Sequence, residues 1–459
     1  MTDENIDEIF DEEIEEDNDD DVVLYHQEIE KKKKIQQDNQ TQVNSFLETE
    51  NLEFVNSITP SYYGELLAWA LHQYLERKEW VTIKTLGYKD SQPIYTDIDT
   101  GKETVNLLSN GYLLIEKETS RFAVMVYINP KYCGYIQIQG PQEKKNELQE
   151  FIDGVTNIVK MENFYRGQTI NFTGRINIIK PQGKEWNNIV IDDDVKKEIQ
   201  ANTTNFLRRS EIWSKCGIPL KRGIIIAGEP GVGKTIICKA LISESDDVTC
   251  ITTDPYAMYY DDYITKLYEL AEDLKPSMVF IEDIDCIGQS RFEFFSQGQP
   301  ALLTLLDVLD GVEDQSGVVT VATTNCLEVL DKALSERPSR FDRIIRLSRP
   351  SIEQRRKLIQ RLSLKIPLPE DIQEYIARKS DNLTPAQIQE IVFSLVIQYP
   401  EKVIDDNNSI TMDMVDKVLS RINSNFRPGL GFRINSGEHR IDSAFSVSQK
   451  ENDLRTEHK

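Results

Sequence analysis

Residues 228–235 form a glycine-rich stretch whose spacing predicts a phosphate-binding loop. They read Gly228-Glu229-Pro230-Gly231-Val232-Gly233-Lys234-Thr235 and fit the pattern GxxxxGK[ST]. A predicted strand precedes them and a predicted helix follows, so backbone N–H groups at the helix start can turn toward a phosphate. The lysine would neutralise nucleotide phosphates, and the threonine would bind Mg²⁺. The alternative for such a stretch is a glycine-rich turn that holds no ligand.

Two acidic residues follow another apolar strand. The strand predicted at Met278–Ile281 runs into Glu282 and Asp283. In P-loop enzymes a carboxylate at this strand end holds Mg²⁺ and the next one polarises the attacking water. By position we predict the magnesium role for Glu282 and the water-activating role for Asp283. Acids here could instead cap a helix or pair with basic side chains.

The elements that must position these residues alternate between buried strand and helix from Trp186 onward. Short apolar strands separated by helices predict a parallel sheet covered on both faces, which makes the fold class an α/β P-loop NTPase. The predicted strands are Ile224–Ile226, Val248–Ile251, Met278–Ile281, Val318–Val321 and Ile344–Leu347.

The remaining chain divides by pattern into four further segments. Residues 1–56 are predicted to be an acidic disordered tail and a polar helix, and 57–181 a separate α+β N-terminal domain that starts with a helix at Thr59-Pro60. The ATPase-like region covers 182–350. Residues 351–425 show only helical patterns and are predicted to be a lid, and 426–459 a disordered tail.

Charge and cysteine usage limit the function classes. The 459 residues carry a net charge of −24, of which thirteen negative charges lie in residues 1–21, leaving −11 over the rest. This balance disfavours nucleic-acid binding, which needs basic patches. No apolar run reaches the roughly 20 residues of a membrane span. Six scattered cysteines without a CxxC pair suit a reduced cytoplasm, which is the expected location.

These motifs, in this order, resemble those of the AAA ATPases within the AAA+ superfamily. The resemblance covers roughly residues 183–425 and implies an AAA+ type sheet with a helical lid. It implies that Ile189 and Val190 touch adenine and that Asn325, after the segment 318–324, senses the γ-phosphate. By the match of 337–343, Arg340 and Arg343 are arginine fingers that reach a neighbour's nucleotide. Intrachain pairing of these arginines with lid acids is the alternative.

Three departures from the family pattern concern the site. The family usually has Asp-Glu where this chain has Glu282-Asp283. This reversed order and the sequence Thr323-Thr324-Asn325 are both similar to the subgroup of the mitochondrial Rieske-protein translocase. Glu229 replaces the usual proline of the loop. Residues 384–387 stand where the lid would otherwise carry Gly-Ala, without an arginine.

The resemblance also implies partners and a reaction. It implies hydrolysis of ATP with Mg²⁺ in a homo-oligomeric, hexameric ring that remodels, unfolds or translocates protein. Residues 57–181 would bind the substrate or adaptor, and Tyr256 would grip polypeptide in the pore, unless this tyrosine-rich loop packs on its own domain. A nucleic-acid-dependent ATPase, such as a loader or mobile-element factor, is the alternative function, and a slowly hydrolysing scaffold is a third.

Overall fold

The computed structural model describes residues 39–88, 91–129, 133–180, 185–260, 262–288, 301–311, 317–328, 330, 341–404 and 410–425. Residues 1–38 of the predicted segment 1–56 and the predicted tail 426–459 therefore lie outside the described residues. The chain divides into two compact units. The first comprises the described residues up to Gln354 together with Thr384–Ala386, and the second comprises the described residues of 355–383 and 387–425.

The first part of the chain builds an antiparallel sheet with helices on it. Its strands run in the order β1-β6-β5-β4-β2, and β3 pairs with β4. The elements are α1 (39–47), β1 (Leu52–Pro60), α2 (Gly64–Arg77), β2 (Val81–Leu86), β3 (Ile94–Asp99), β4 (Thr104–Lys117), β5 (Ser120–Asn129), β6 (Cys133–Pro141) and α3 (Lys145–Met161).

Alternation along the strands sends neighbouring side chains to opposite faces of this sheet. On β5, Phe122 and Val124 pack in the same core as α2 and α3, whereas Ala123 between them packs with Val43 and Leu47 of α1. Helix α1 therefore covers the face opposite α2 and α3. Residues 39–56, which sequence analysis placed in a segment of acidic tail and polar helix before this domain, thus contribute helix α1 and the first part of strand β1 to the domain.

The second sheet is parallel apart from its last strand. Its order is β13-β9-β12-β11-β10-β7-β8, and only β8 runs antiparallel to its neighbour among the described strands. Its elements are β7 (Thr169–Phe172), β8 (Ile176–Ile178), α4 (Asp193–Asn202), α5 (Thr204–Arg208), α6 (Ser210–Lys215), β9 (Lys221–Ala227), α7 (Lys234–Glu244), β10 (Thr249–Thr253), α8 (Tyr263–Asp273), β11 (Ser277–Ile281), α9 (Asp285–Gly288), α10 (Ala301–Gly311), β12 (Val318–Thr324) and β13 (Arg343–Arg346).

Both faces of this sheet are covered, as the apolar strands predict. On β9, Ile224 and Ile226 lie in one core cluster and Ile225 lies in the other. All five strands predicted from the sequence are present with shifts of a few residues at their ends. The α/β P-loop NTPase fold class is therefore confirmed.

The two sheets share one hydrophobic core. Strand β7 pairs in parallel with β10, with Ile170 opposite Ile251, and the rings of Phe172 and Tyr62 lie 5.6 Å apart. Strands β7 and β8 thus belong to the parallel sheet, although sequence analysis placed them in the domain ending at residue 181. Alternation predicts a strand, but it does not say which sheet the strand joins.

The second unit is helical, as predicted. Its core buries aliphatic residues of four helices, among them Ile359, Ile376, Ile391 and Val415. The helices assigned to the last part of the chain are α11 (Ile352–Ser363), α12 (Glu370–Lys379), α13 (Pro385–Gln398), α14 (Pro400–Ile404) and α15 (Met412–Asn425). Within the described ranges, no helix combines the length and apolar character needed to cross a bilayer.

Truncating Ile170 tests whether β7 is an integral part of the parallel sheet. Ile170 is fully buried, so Ile170→Ala is expected to lower the free energy of unfolding by about 2–5 kcal/mol. Its cross-strand partner Ile178 is only half-buried, so Ile178→Ala should cost about 1 kcal/mol. Urea denaturation measures both, and equal small effects would contradict the shared core.

Candidate functional site

The site forms where three parallel strands end at the same edge of the sheet. Strand β12 pairs with β9 on one side and with β11 on the other. The loop 228–235 follows β9, Glu282 and Asp283 follow β11, and Asn325 follows β12. The carboxyl ends of parallel strands are where ligands bind in open α/β sheets. The sheet thereby brings together residues that are up to 97 positions apart in the sequence.

The predicted phosphate loop has the backbone that its glycines allow. Gly231 and Gly233 have φ angles of +83° and +111°, in the region that disfavours side chains. Gly231 also contacts a neighbouring segment: its carbonyl accepts from the backbone N–H of Ala386 at 3.2 Å, and a Cβ there would meet the Thr384 hydroxyl at 3.0 Å. Residues 384–386, at the predicted lid position, therefore lie against the loop.

Lys234 begins helix α7 and points back into the loop. Its side-chain nitrogen donates to the carbonyls of Gly228 at 2.7 Å and Glu229 at 3.1 Å, and to Asn325 Oδ1 at 2.7 Å. The residue is only 6% exposed. Burial lowers the pKa of the Lys234 ammonium, and the carboxylate of Asp283 opposes that shift most strongly.

Asn325 links the lysine to the predicted water-activating acid. While its Oδ1 accepts from Lys234, its Nδ2 donates to Asp283 Oδ1 at 2.8 Å. Asp283 itself has a φ of +52°, which is uncommon for a residue with a side chain. Its backbone N–H donates to Thr323 Oγ1 at 3.0 Å, which holds this conformation. The geometry thus joins Lys234, Asn325 and Asp283 in one hydrogen-bonded chain.

Thr235 and Glu282 lie together beside this chain. Thr235 Oγ1 donates to Glu282 Oε2 at 2.6 Å. A hydroxyl and a carboxylate are both oxygen ligands of the kind Mg²⁺ prefers, and Mg²⁺ sites commonly use one or two protein ligands plus phosphates. The pair therefore fits the metal role predicted for it.

Asp285 is a site residue that sequence reasoning did not assign. It is 7% exposed and its Oδ1 accepts from Thr324 Oγ1 at 2.8 Å and from the backbone N–H of Asn325 at 3.0 Å. A buried carboxylate needs such partners. Asp285 therefore positions Asn325. Its position two residues after Asp283 could have indicated a place in the site. Its hydrogen-bond partners, however, belong to β12 and the residue after it, which the sequence does not show to be near.

Of the two residues predicted to contact adenine, only Val190 lines a cleft beside the phosphate loop. It does so together with Val232, Leu347 and Pro385. Ile189 packs against the sheet core instead, and Ile191 takes its place in the cleft. Val232 is 5% exposed, and Pro230 lies exposed at the outer turn of the loop. The cleft joins these apolar side chains to the polar groups of Asp192, Arg346, Ser348 and Gln354.

Glu229, the departure from the family pattern, has a partner in the same unit. Arg349, just after β13, donates to Glu229 Oε2 through Nη2 at 2.6 Å and Nε at 3.1 Å. The carboxylate therefore ties the loop to the segment after β13. Both side chains are substantially exposed, so the pair contributes little to the free energy of folding.

Arg343 is the first residue of β13, the outermost strand on one side of the sheet. In the pairing of β13 with β9 it stands opposite Ile224, four residues and about 13 Å of strand before Gly228. Its Nε is 3.3 Å from Glu198 Oε1 of α4, which is not a lid residue. Arg343 is therefore not brought to the phosphate loop of its own chain. Arg340 lies outside the described residues.

Tyr256 lies in a short 3₁₀ helix, Pro255–Tyr259, that follows β10. The Asp254 carboxylate caps this turn by accepting from the backbone N–H of Tyr256 at 2.9 Å. The side chain of Tyr256 is 55% exposed, and that of Tyr260 is 75% exposed, whereas Met258 is buried. The loop thus presents two aromatic side chains to solvent.

Comparison with known proteins agrees with this geometry. Residues 224–349 match the family described as ATPase family associated with various cellular activities (AAA). The chain is 35% identical over 206 residues to the 26S proteasome regulatory subunit 4 homolog B of Arabidopsis thaliana, covering 42% of this chain and 46% of that protein. It is 30% identical over 237 residues to the proteasome-activating nucleotidase of Methanothermobacter thermautotrophicus, covering 49% and 57%.

The chain spans about half the length of these curated relatives. The family match begins within β9 and ends just after β13, so it includes the phosphate loop, both predicted catalytic acids and Asn325. The sheet order, the hydrogen-bonded site and the sequence match agree over the same residues. Residues 224–349 of this chain are therefore similar to the AAA family over the whole of the candidate site.

Proposed function

We propose that this protein is an ATP hydrolase that works as a homo-oligomeric ring, with six subunits, and uses ATP to unfold or translocate protein. The observation that carries the proposal is the hydrogen-bonded chain from Lys234 through Asn325 to Asp283. It places a cation, a neutral donor and a carboxylate side by side at the end of a phosphate loop. Transfer of a γ-phosphoryl group to water needs these three kinds of group.

Each residue has a role that its surroundings support. Lys234 would neutralise charge on the phosphates, and Asn325 would orient both the nucleotide and Asp283. Asp283 would accept a hydrogen bond from the attacking water. Thr235 and Glu282 would hold Mg²⁺, which when bound neutralises charge on the phosphate oxygens.

The proposed ring is supported by the position of Arg343. Because the Arg343 side chain pairs with Glu198 of α4 and its backbone lies level with Ile224, four residues before Gly228, it would serve a nucleotide on an adjacent copy rather than its own. We retain Arg340 in the same role from the family pattern. Relatives that are named as proteasome-activating or proteasome regulatory proteins favour polypeptide as the substrate. Residues 57–181 would then receive substrate or adaptor.

Two finer assignments rest on the sequence pattern. A closer relation to the Rieske-protein translocase subgroup is supported by two features, the order Glu282-Asp283 and the sequence Thr323-Thr324-Asn325. The cytoplasm is the proposed location, supported by the six cysteines, all within the described residues and none of them in a disulfide. A nucleic-acid-dependent ATPase is the competing function, and stimulation of turnover by DNA instead of by unfolded protein would favour it.

A matched pair of charge-removing variants tests the two acids. Asp283→Asn should retain Mg²⁺-dependent ATP binding but lose hydrolysis by about 10²-fold or more, because the water loses its carboxylate partner. Glu282→Gln should instead weaken the Mg²⁺ dependence of binding. Fluorescent-nucleotide titration and phosphate release measure the two effects. Turnover of Asp283→Asn at the wild-type rate would refute its assigned role.

Two variants separate the proposed action of Arg343 on an adjacent copy from its ion pair with Glu198 in its own chain. Arg343→Ala is expected to lower turnover by about 10³-fold or more while ATP binding persists. Glu198→Ala removes only the partner within the chain and should leave turnover close to that of the wild type. If both variants lose activity equally, Arg343 acts through its own subunit and the trans assignment fails.

Polypeptide contact is tested at Tyr256. Tyr256→Ala should lower the amount of an unfolded fluorescent substrate that is processed per ATP hydrolysed by about tenfold, since the main apolar contact is lost. Tyr95→Ala is the control, because Tyr95 is similarly exposed but lies on β3. An unchanged ratio for Tyr256→Ala would contradict substrate gripping by this loop.

A further inference from the structure

The loop that presents Tyr256 and Tyr260 is attached to the segment that carries the catalytic acid. Tyr259, between these two exposed residues, turns inward and packs against the hydrophobic core. Its hydroxyl donates to the backbone carbonyl of Cys286 at 3.0 Å. A tyrosine with a half-buried ring and a hydrogen-bonded hydroxyl is held at both ends, so it fixes the loop to α9.

Tyr256 meets the same residue from the exposed side. The negative charge that Cys286 carries once it is deprotonated, and then a hydrogen bond with its side chain, raise the pKa of Tyr256, so the two side chains are neighbours. Burial raises the pKa of the Cys286 thiol, and the hydrogen bond from Tyr256 opposes this shift. Two tyrosines of one loop therefore converge on Cys286, one on its carbonyl and one on its side chain.

Cys286 in turn lies one turn after the catalytic acid. Its backbone N–H donates to the carbonyl of Asp283 at 2.9 Å, closing the turn in which Asp283 has its positive φ. The residue before Cys286 is Asp285, whose carboxylate holds the backbone of Asn325. A shift of Cys286 would therefore change the position of both groups that face the nucleotide.

We propose that Cys286 couples polypeptide contact at the loop 255–260 to the Asp283 carboxylate, with the Tyr259 hydroxyl as the positioning group that transmits the displacement. This inference rests on the proposed function and deepens it by naming how substrate regulates hydrolysis. The ring of Tyr259 packs against the core and its hydroxyl bonds to Cys286, so we assign it no contact with nucleotide or polypeptide. It connects the segment that follows β10 to the segment that follows β11.

The test is the variant Tyr259→Phe, which removes one hydroxyl and keeps the packed ring. Steady-state ATP turnover of the full-length protein is measured with and without α-casein as an unfolded polypeptide. Stimulation by casein is expected to fall about fivefold, the loss of about 1 kcal/mol at 1.36 kcal/mol per tenfold. Basal turnover and KM for ATP should stay within about twofold of the wild type.

A matched control loses an equivalent hydroxyl elsewhere. Tyr375 Oη donates to Asp416 at 2.8 Å within the second unit, so Tyr375→Phe should keep full stimulation. If Tyr259→Phe is stimulated as strongly as the wild type, the coupling is refuted. If its basal and stimulated rates fall in proportion, Tyr259 only supports the site and the coupling is also refuted.

The wild-type measurement separates this inference from the proposal beneath it. A wild-type protein that hydrolyses ATP without any response to casein would refute protein remodelling, and the coupling would fall with it. A wild-type protein that responds to casein, beside a Tyr259→Phe variant that responds equally, would leave remodelling intact and refute only the role of Tyr259 and Cys286.

Discussion

The parallel register of β9, β12 and β11 is the constraint on which the site depends. Because β12 lies between the other two strands, its end brings Asn325 between Lys234 and Asp283. The three side chains come from segments separated by more than 40 residues in each case. Their contacts follow from backbone pairing, since a slip of one residue in β12 would turn Asn325 to the other face.

The site also concentrates opposite charges in a partly buried place. Lys234 is almost fully buried. Burial lowers the pKa of its ammonium group, and the nearby Asp283 carboxylate raises it. Loop carbonyls and Asn325 satisfy its donors, while Asp285 is satisfied by Thr324 and by the backbone of Asn325. Such complete hydrogen bonding compensates the loss of solvation, which otherwise makes buried ionisable groups unfavourable. The groups thereby stay fixed in place.

Much of this arrangement was predictable from local pattern. The phosphate loop, the strand before Glu282 and the helical last segment follow from glycine spacing and hydrophobic periodicity. The first domain was harder, because β1 alternates exposed and half-buried side chains and lies at a sheet edge, so its pattern is weak. The Thr59-Pro60 pair ends that strand, and Pro60 directly precedes the 3₁₀ helix Ser61–Tyr63, which continues into helix α2 at Gly64.

By itself, the sequence determined the residue types at the site and the order of strands and helices, because both are encoded in short-range spacing. The tertiary structure decided which strands are neighbours, and with it three results: β7 and β8 join the parallel sheet, Ile191 rather than Ile189 faces the cleft, and Arg343 stands away from its own loop. Strand pairing connects residues far apart in the chain, so the partners of Asp285 and Tyr259 become visible only once the sheet has formed.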